Sequence, residues 1–217
     1  MQMIARTRFA PSPTGRLHLG HVLAARVAHA VAGRSTDGCF LLRHEDIDSP
    51  RVREEFYAEI ENDLLWLGLA WDEPPLRQTS RTSSHKAALG SLEELALVYP
   101  CFCTRKEIQD EWARMGAAPH GNCEQNYPGT CRDLTAAEKL AKIASGTPFA
   151  WRLNSHLAGL STGPLTIKDL RHGTIPVNPN LLGDVILARK DIGCAYHLAV
   201  VVDDTHQQVT HVTRGED

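Results

Sequence analysis

The sequence predicts an α/β protein built on a parallel sheet, with a cysteine-bearing insert. Strand and helix patterns alternate through the first third of the chain, which is typical of parallel sheets. Four of the six cysteines fall within residues 101–131, where aliphatic residues are scarce. Aliphatic segments return from residue 181 onward. We therefore predict one domain in two halves, 1–99 and 151–217, separated by an insert over 100–150.

The composition is that of an ordinary globular protein of 217 residues, with 42% hydrophobic and 23% charged residues. It excludes disordered, collagenous and coiled-coil classes. The net charge of −3 excludes a protein that coats nucleic acid through a general basic surplus, although a local basic face remains compatible with it. No apolar run approaches the roughly 20 residues of a membrane span, and the N-terminus lacks an apolar signal core. We expect a cytoplasmic protein without a membrane partner.

The first predicted unit is a strand, a turn and a helix. Residues 7–10 favour a strand, and the Pro- and Gly-rich residues 11–15 favour a sharp turn. A helix is predicted over 18–32 and ends at Gly33. The apolar side chains expected on one face of this helix are Leu19, Val22, Leu23 and Val27.

Further elements follow in the same alternation. Residues 39–43 indicate a buried strand, and apolar residues at every fourth position predict a helix over 51–67 that ends at Gly68. A third helix is predicted over 84–98. Residues 200–202 favour a strand by propensity, although the spacing around them also allows a helix. Residues 209–214 indicate a further strand.

Two capping boxes flank the cysteine-rich segment. Thr104 is followed three residues later by Glu107, and Thr135 by Glu138. In this spacing each side chain can bond the other residue's backbone N–H, which starts a helix. Each box therefore predicts a short helix.

The segment between residues 8 and 21 carries the first candidate site. A Pro/Gly turn leads from a strand into a helix whose first turn holds His18, Gly20 and His21. A helix N-terminus attracts phosphate, and two histidines three residues apart share one helical face. The imidazoles could donate hydrogen bonds to triphosphate oxygens in a transition state, and Gly20 leaves room for a flat base. The alternative to a phosphate site is a purely structural role, in which a Pro-Gly turn caps a helix and the histidines are only surface residues.

The cysteine cluster is the second candidate site. The three thiols of Cys101, Cys103 and Cys131 are a good start for a tetrahedral zinc site, which needs one more ligand. Candidates for that place are His120, Cys123 and Tyr127, of which imidazole or thiolate is the chemical default. The alternative is a set of reduced, buried cysteines without metal. Cys39 and Cys194 are expected to be small core residues.

Three motifs in the right order resemble class I aminoacyl-tRNA synthetases of the glutamyl/glutaminyl group. Residues 8–21 resemble the HIGH motif of that group with its preceding Pro-Ser-Pro-Thr-Gly turn, residues 44–48 resemble the next motif, and residues 209–217 resemble a third. The resemblance covers residues 6–217. It implies a Rossmann-like parallel sheet with a zinc-binding insert, and an ATP-dependent ligase that activates glutamate.

The resemblance also implies roles for particular residues. His18 and His21 would be catalytic. The residues implied in ATP binding are His18, Gly20, His21 and Glu216. The residues implied in glutamate binding are Arg8, Ala10, Ser12, Glu45, Tyr196 and Arg214. Two guanidiniums and one carboxylate match the two carboxylates and one ammonium of glutamate, which supports the last assignment.

Within this group the insert resembles that of a shortened branch. The resemblance to this branch implies that the insert holds structural zinc through Cys101, Cys103, Tyr127 and Cys131. Val200 stands where full-length glutamyl synthetases tend to have Asn, which predicts a weaker grip on glutamate. The branch transfers glutamate to the queuosine base of tRNA(Asp), so the implied partners are L-glutamate, ATP with Mg²⁺ and that tRNA.

Two other interpretations stay open. The chain is alternatively the N-terminal part of a synthetase that charges tRNA 3′ ends, or a non-catalytic tRNA-binding module. The family's second ATP loop, of the KMSKS type, would lie beyond Asp217, so we expect a truncated chain with impaired activity. We expect a monomer.

Overall fold

The computed structural model describes residues 4–33, 37–48, 50–114, 127–189 and 193–215. The chain divides into two compact units. The first unit joins residues 1–86 to 198–217, and the second comprises residues 87–197. The boundaries predicted from sequence at 99 and 150 stay predictions, and each unit is described by itself below.

The described helices are α1 (Leu19–Ala32), α2 (Glu54–Trp66), α3 (Thr82–Glu94), α4 (Arg105–Arg114), α5 (Ala136–Ala144), α6 (Ser155–Thr162), α7 (Pro179–Leu182) and α8 (Tyr196–His206). The described strands are β1 (Arg6–Phe9), β2 (Cys39–His44), β3 (Leu76–Arg77), β4 (Val98–Cys101), β5 (Ala150–Leu153), β6 (Thr166–Asp169), β7 (Gly173–Pro176), β8 (Ile186–Arg189) and β9 (Gly193–Cys194). A short 3₁₀ helix covers Gln78–Arg81.

The first unit contains the parallel sheet that the sequence predicts. Its strand order is β1-β2-β3, with Arg6 opposite Cys39 and Phe9 opposite Leu42. Strand β2 is buried along its whole length because it is the central strand. Helix α1 connects β1 to β2 and α2 connects β2 to β3, so both connections are crossovers between parallel strands. The predicted α/β class is confirmed.

The apolar face of α1 expected from the sequence is not the face that is buried. Leu19 and Leu23 are 87% and 66% exposed, whereas Ala25 and Ala28 are completely buried. The reason is close packing against the sheet, since the hydroxyl of Thr7 in β1 donates to the Ala28 carbonyl at 2.9 Å. Only small side chains allow a helix backbone to approach a strand this closely, so the alanine face is the one that packs.

The other local predictions of the first unit largely hold. Helix α2 is followed by Gly68, whose φ of +72° is the left-handed conformation that glycine adopts easily. Residues 200–202 are helical, because α8 buries Leu198, Ala199 and Asp203. The strand predicted over 209–214 is wrong. Only Thr210 and His211 bond the backbone of β1, both at the Arg6 carbonyl, so no ladder forms.

The second unit contains an antiparallel sheet in the order β4-β5-β8-β9 and a separate hairpin of β6 and β7. Both capping boxes are present. Thr104 and Glu107 exchange bonds at the start of α4, as do Thr135 and Glu138 at the start of α5. The predicted short helices are confirmed.

None of the helices in the described part of the chain combines the length and apolar character that crossing a membrane requires.

Candidate active site and metal centre

The candidate active site lies where the strands of the parallel sheet end. The loop after β1 and the loop after β2 are joined by backbone hydrogen bonds, from Glu45 N–H to the Pro11 carbonyl at 3.0 Å and from Arg53 N–H to the Pro13 carbonyl at 3.1 Å. The carboxyl edge of a parallel sheet is the usual ligand site of open α/β folds. The fold therefore holds the predicted nucleotide turn against the His44–Asp48 segment.

His18 caps α1 with its own side chain. Its Nδ1 accepts from the Gly20 N–H at 3.1 Å, and the His18 N–H donates to Nδ1 of His21 at 3.4 Å. The two rings are stacked, with centroids 3.8 Å apart. Since each Nδ1 is an acceptor, each neutral ring carries its proton on Nε2. The pair thus offers two Nε2–H donors at a helix N-terminus.

The electrostatics of this pair suit an anionic ligand. Burial, together with the charge of His18, lowers the pKa of His21, so that His21 is a neutral donor near pH 7. The first turn of α1 holds no acidic residue, so nothing there offsets the positive end of the helix dipole. A Cβ on Gly20 would lie 3.0 Å from Cε1 of His18, so a side chain at this position would press on the ring that caps the helix.

Arg8 and Glu45 are connected through two residues that sequence reasoning did not assign. Nε of Arg8 donates to Asp204 at 3.0 Å, and Nη1 of Arg43 donates to the same carboxylate at 2.6 Å. Arg43 also donates to Glu45 through Nη2 at 3.2 Å and to Gln207 through Nη1 at 3.1 Å. Arg43 is completely buried and Arg8 is 9% exposed. Two guanidiniums and two carboxylates therefore form one nearly dry, charge-balanced cluster.

Glu45 feels opposing influences in this cluster. Burial raises the pKa of its carboxyl, while the Arg43 and Arg8 guanidiniums act in the opposite direction, and the net pKa is raised. Among the described residues no acceptor binds the Nη atoms of Arg8, since Asp204 accepts from Nε. A ligand carboxylate could meet that free edge of Arg8, and a ligand ammonium could meet Glu45.

A second layer of buried polar groups supports this cluster. Asp203, which is completely buried, accepts from Gln78, Arg81 and His85, each at 3.0 Å. Asp203 and Asp204 are neighbours in α8, so one helix carries a buried and a half-buried carboxylate. Asp204 bonds α8 to β1 and β2 of the parallel sheet, and Asp203 bonds it to the 3₁₀ helix and to α3.

The second carboxylate of the His44–Asp48 segment is also structural. Asp46 accepts from the Tyr57 hydroxyl at 2.7 Å and from the backbone and hydroxyl of Thr79 at 2.8 and 2.7 Å. Burial and the bond to Asp46 raise the pKa of Tyr57, which keeps it a donor. These bonds hold Glu45, the residue before Asp46, in place.

The remaining predicted site residues are placed as follows. Ala10 is half-buried, while Ser12 and Arg214 are exposed in the first unit. Tyr196 is 51% exposed and opens α8 in the second unit, with its ring centroid 5.8 Å from that of His197. Glu216 lies outside the described residues. All of these assignments stay predictions.

The three predicted thiol ligands converge in the second unit. The Sγ atoms of Cys101, Cys103 and Cys131 all lie within 4.8 Å of one another. The Tyr127 hydroxyl is 3.3 Å from Sγ of Cys103 and accepts a hydrogen bond from the Cys131 N–H at 2.8 Å. Two of the competing fourth ligands, His120 and Cys123, lie outside the described residues.

Protonation in this cluster is set by burial and mutual hydrogen bonds. Burial raises the pKa of Cys103 to about 12. Burial acts in the same direction on Cys131, but hydrogen bonds from Tyr127 and from the Phe102 N–H outweigh it and lower the pKa of that thiol. Three sulfurs and a phenol at these distances fit a tetrahedral metal ion, which would favour the thiolate forms.

Sequence reasoning missed Arg43 and Asp204 in the first unit and Asp184 in the second. Asp184 is 3% exposed and lies between α7 and β8. The available signal was a charged residue within or next to an apolar run. Arg43 ends the apolar run of a buried strand, and Asp204 is the second aspartate after three valines. A buried charge needs a partner, but the sequence does not say which one.

Comparison with known proteins defines the family. Residues 4–217 match the model of the catalytic domain of class I tRNA synthetases, E and Q. A protein named glutamyl-Q tRNA(Asp) synthetase from Rhodobacter capsulatus is 45% identical, covering 97% of this chain and 76% of that protein. A protein of the same name from Leptothrix cholodnii is 40% identical, and the match covers 100% of this chain and 70% of that protein.

Glutamate-tRNA ligases are also similar. The ligase of Aquifex aeolicus is 39% identical over 98% of this chain and 43% of that protein. The crystal structure of a glutamate tRNA ligase from Elizabethkingia meningosepticum, in complex with its amino acid, matches with a TM-score of 0.80 and 30% identity. It is covered over 44% of its length, so this chain spans less than half of either ligase.

The chain belongs to the glutamyl/glutaminyl family of class I tRNA synthetases, which confirms the resemblance seen in the three motifs. It is an aminoacyl-tRNA synthetase-like ligase.

Proposed function

We propose that this protein activates L-glutamate with ATP and transfers the glutamyl group from the resulting adenylate to the queuosine base of tRNA(Asp), which releases AMP. The observation that carries the activation step is the His18–Gly20–His21 cap on α1. Two Nε2–H donors at a helix N-terminus would suit the phosphates of ATP. Magnesium would enter with the ATP as part of the substrate.

In the first step the α-carboxylate of glutamate attacks the α-phosphorus of ATP. A carboxylate oxygen–phosphorus bond forms, the bond to the β-phosphate oxygen breaks, and pyrophosphate leaves. The imidazole donors of His18 and His21 would stabilise the charge on the phosphate oxygens. The protein's contribution is mainly positioning and charge stabilisation.

Recognition of glutamate is proposed for the cluster around Arg8. The unused edge of that guanidinium suits a carboxylate, and Glu45 suits the ammonium. Ala10, Ser12, Tyr196 and Arg214 complete the set that the family resemblance implies, and Glu216 is proposed near ATP.

The choice of tRNA acceptor is proposed from the relatives. Four of the similar proteins, at 40 to 45% identity, carry the name glutamyl-Q tRNA(Asp) synthetase. A synthetase that charges tRNA 3′ ends is the second candidate, supported by the similar glutamate-tRNA ligases. We propose a monomer that acts in the cytoplasm, where tRNA is used.

The acceptor experiment uses the complete gene product with ATP, radiolabelled glutamate and matched tRNA(Asp) samples with and without queuosine. We expect label only on the queuosine-containing tRNA, and that label should survive removal of the 3′-terminal adenosine. Label on tRNA(Glu) that is lost with its 3′ end would support the second candidate instead. Absence of glutamate-dependent ATP–pyrophosphate exchange would contradict the activation step itself.

We also propose that Cys101, Cys103, Tyr127 and Cys131 hold structural zinc, which would join β4 to the 127–131 loop. The Cys103→Ser protein should contain less zinc and be cleaved faster by protease within the second unit. Cys194→Ser is the matched control, since Cys194 is not part of the cluster. Wild-type protein without zinc by elemental analysis would refute the assignment.

A further inference from the structure

Asp184 lies outside the predicted insert, yet its buried carboxylate collects hydrogen bonds from several separate segments. Oδ2 accepts from the Tyr99 hydroxyl at 2.6 Å and from Nη1 of Arg132 at 3.1 Å. Oδ1 accepts from the N–H of Ser155 at 3.0 Å and from its hydroxyl at 2.8 Å. The carbonyl of Asp184 accepts from Nη1 of Arg152 at 2.7 Å. This residue therefore ties together β4, the 127–132 loop, β5 and the start of α6.

Each segment that carries a cluster ligand is connected to Asp184. Tyr99 stands two residues before Cys101 in β4, and its ring packs with Cys101 and Cys131 in one buried cluster. Arg132 directly follows Cys131. The third connection is through Arg152, whose guanidinium carbon lies 4.0 Å from the centre of the Tyr127 ring.

The loop between Tyr127 and Arg132 is shaped for this contact. Gly129 has a φ of +95°, and a Cβ there would lie 2.6 Å from Nη2 of Arg132. The N–H of Arg132 also donates to the Gly129 carbonyl at 2.8 Å, which closes the turn. A side chain at position 129 would displace the guanidinium that reaches Asp184.

From these contacts we infer that Asp184 is the positioning residue of the metal centre, which fixes the segments carrying Cys101, Tyr127 and Cys131 before the ion binds. The inference rests on the proposed zinc site. Binding a metal to separate segments requires that they be ordered, and a buried carboxylate with satisfied hydrogen bonds supplies that order in advance. Asp184 would not contact the ion itself.

The experiment measures the zinc affinity of the reduced, metal-free complete gene product by competition with a chromophoric chelator. Asp184→Asn should weaken zinc binding by about 10-fold or more, within the range typical of groups that support metal ligands. Tyr99→Phe removes one hydroxyl bonded to Asp184 and should weaken it by about 3-fold. Cobalt in place of zinc should show altered thiolate absorption bands in both variants.

Tyr57→Phe is a matched control for Tyr99→Phe. Both tyrosines are 5% exposed and donate to a buried aspartate, but Tyr57 lies in the first unit. Asp169→Asn controls for Asp184→Asn, because Asp169 accepts two backbone N–H groups in the turn between β6 and β7. Neither control should change zinc affinity.

The possible results separate the two proposals. If wild-type protein binds no zinc, the metal site is wrong and this inference falls with it. If wild-type protein binds zinc and the folded Asp184→Asn and Tyr99→Phe proteins bind it equally well, this inference alone is overturned. If the Asp184→Asn protein fails to fold, the zinc affinity of Tyr99→Phe is compared with that of Tyr57→Phe. Equal affinities would then overturn the inference.

Discussion

Asp204 shows how one side chain can organise a binding site without touching the ligand. Its carboxylate holds Arg8 by Nε and Arg43 by Nη1, and Arg43 in turn holds Glu45. Without the Asp204 carboxylate, the guanidiniums of Arg8 and Arg43 would be left with Glu45 as the one carboxylate of the cluster. Arg8 would then lose the contact that fixes the direction of its free edge.

We predict that Asp204→Asn raises the KM for glutamate more than it lowers kcat, because it disturbs the placement of Arg8 rather than the phosphate site. Breaking a buried ion pair should also lower the free energy of unfolding by roughly 3 kcal/mol. Glutamate-dependent exchange kinetics and urea unfolding measure the two effects. Asp48→Asn is the control, since its partner Arg51 is 74% exposed and such surface pairs contribute little. Equal kinetic effects of both variants would contradict the role of Asp204.

His18 is the residue on which the activation step depends most. Replacing it with alanine removes one Nε2–H donor and the cap of α1 together. We expect His18→Ala to slow ATP–pyrophosphate exchange by roughly 10²-fold, as for loss of a transition-state donor. The exposed His206→Ala serves as control. Near-normal exchange by His18→Ala would refute the assignment.

At the scale of elements, the start of α1 combines a cap and a ligand site. The glycine at position 20 allows the His18 ring to fold back over the first turn, where a Cβ would meet it at 3.0 and 3.2 Å. The ring must therefore move if a side chain is added. The same element shows why an apolar stripe can mislead, since its leucines are exposed and its alanines pack.

We predict that Gly20→Ala raises the KM for ATP several-fold, because the displaced His18 ring no longer presents its Nε2–H correctly. The matched control is Gly90→Ala in α3, where a Cβ meets nothing within 4 Å. There the change should stabilise the helix by up to about 1 kcal/mol, as alanine does in helix interiors. A Gly20→Ala enzyme with unaltered ATP kinetics would show that the His18 cap is dispensable.

On the scale of the whole molecule, buried histidine makes stability depend on pH. Burial lowers the pKa of His44, although its partner Glu61 at 3.0 Å acts in the opposite direction. His21 is shifted the same way. The native state therefore binds fewer protons than the unfolded chain just below pH 6.5, and stability rises with pH in that window.

We expect the free energy of unfolding to fall as the pH is lowered from 7.5 to 5.5, by at most about 1.4 kcal/mol per pH unit for each histidine. His44→Gln should flatten this dependence, and His206→Ala should leave it unchanged. Urea unfolding at a series of pH values checks both. A profile of the same slope in His44→Gln would exclude His44 as the source.

Local sequence rules predicted much of this fold. The capping boxes at Thr104 and Thr135 were correct because each depends on residues only three apart. The strand predicted over 209–214 failed because a strand needs a backbone partner along its length, and the backbone N–H groups of Thr210 and His211 both bond the Arg6 carbonyl. Residues 200–202 became helix because packing of Ala199 and Asp203 outweighs the strand propensity of valine.

By itself the sequence determined the family, through three motifs in order, and it named the histidines and thiols of both candidate sites. Only the tertiary structure decided that Arg8 meets Asp204, 196 residues away, and that Tyr99 meets Asp184, 85 residues away. The physical reason is the sequence distance over which each kind of interaction acts. Caps and periodicity act over a few residues, whereas the partner of a buried charge is chosen by how distant elements pack around it.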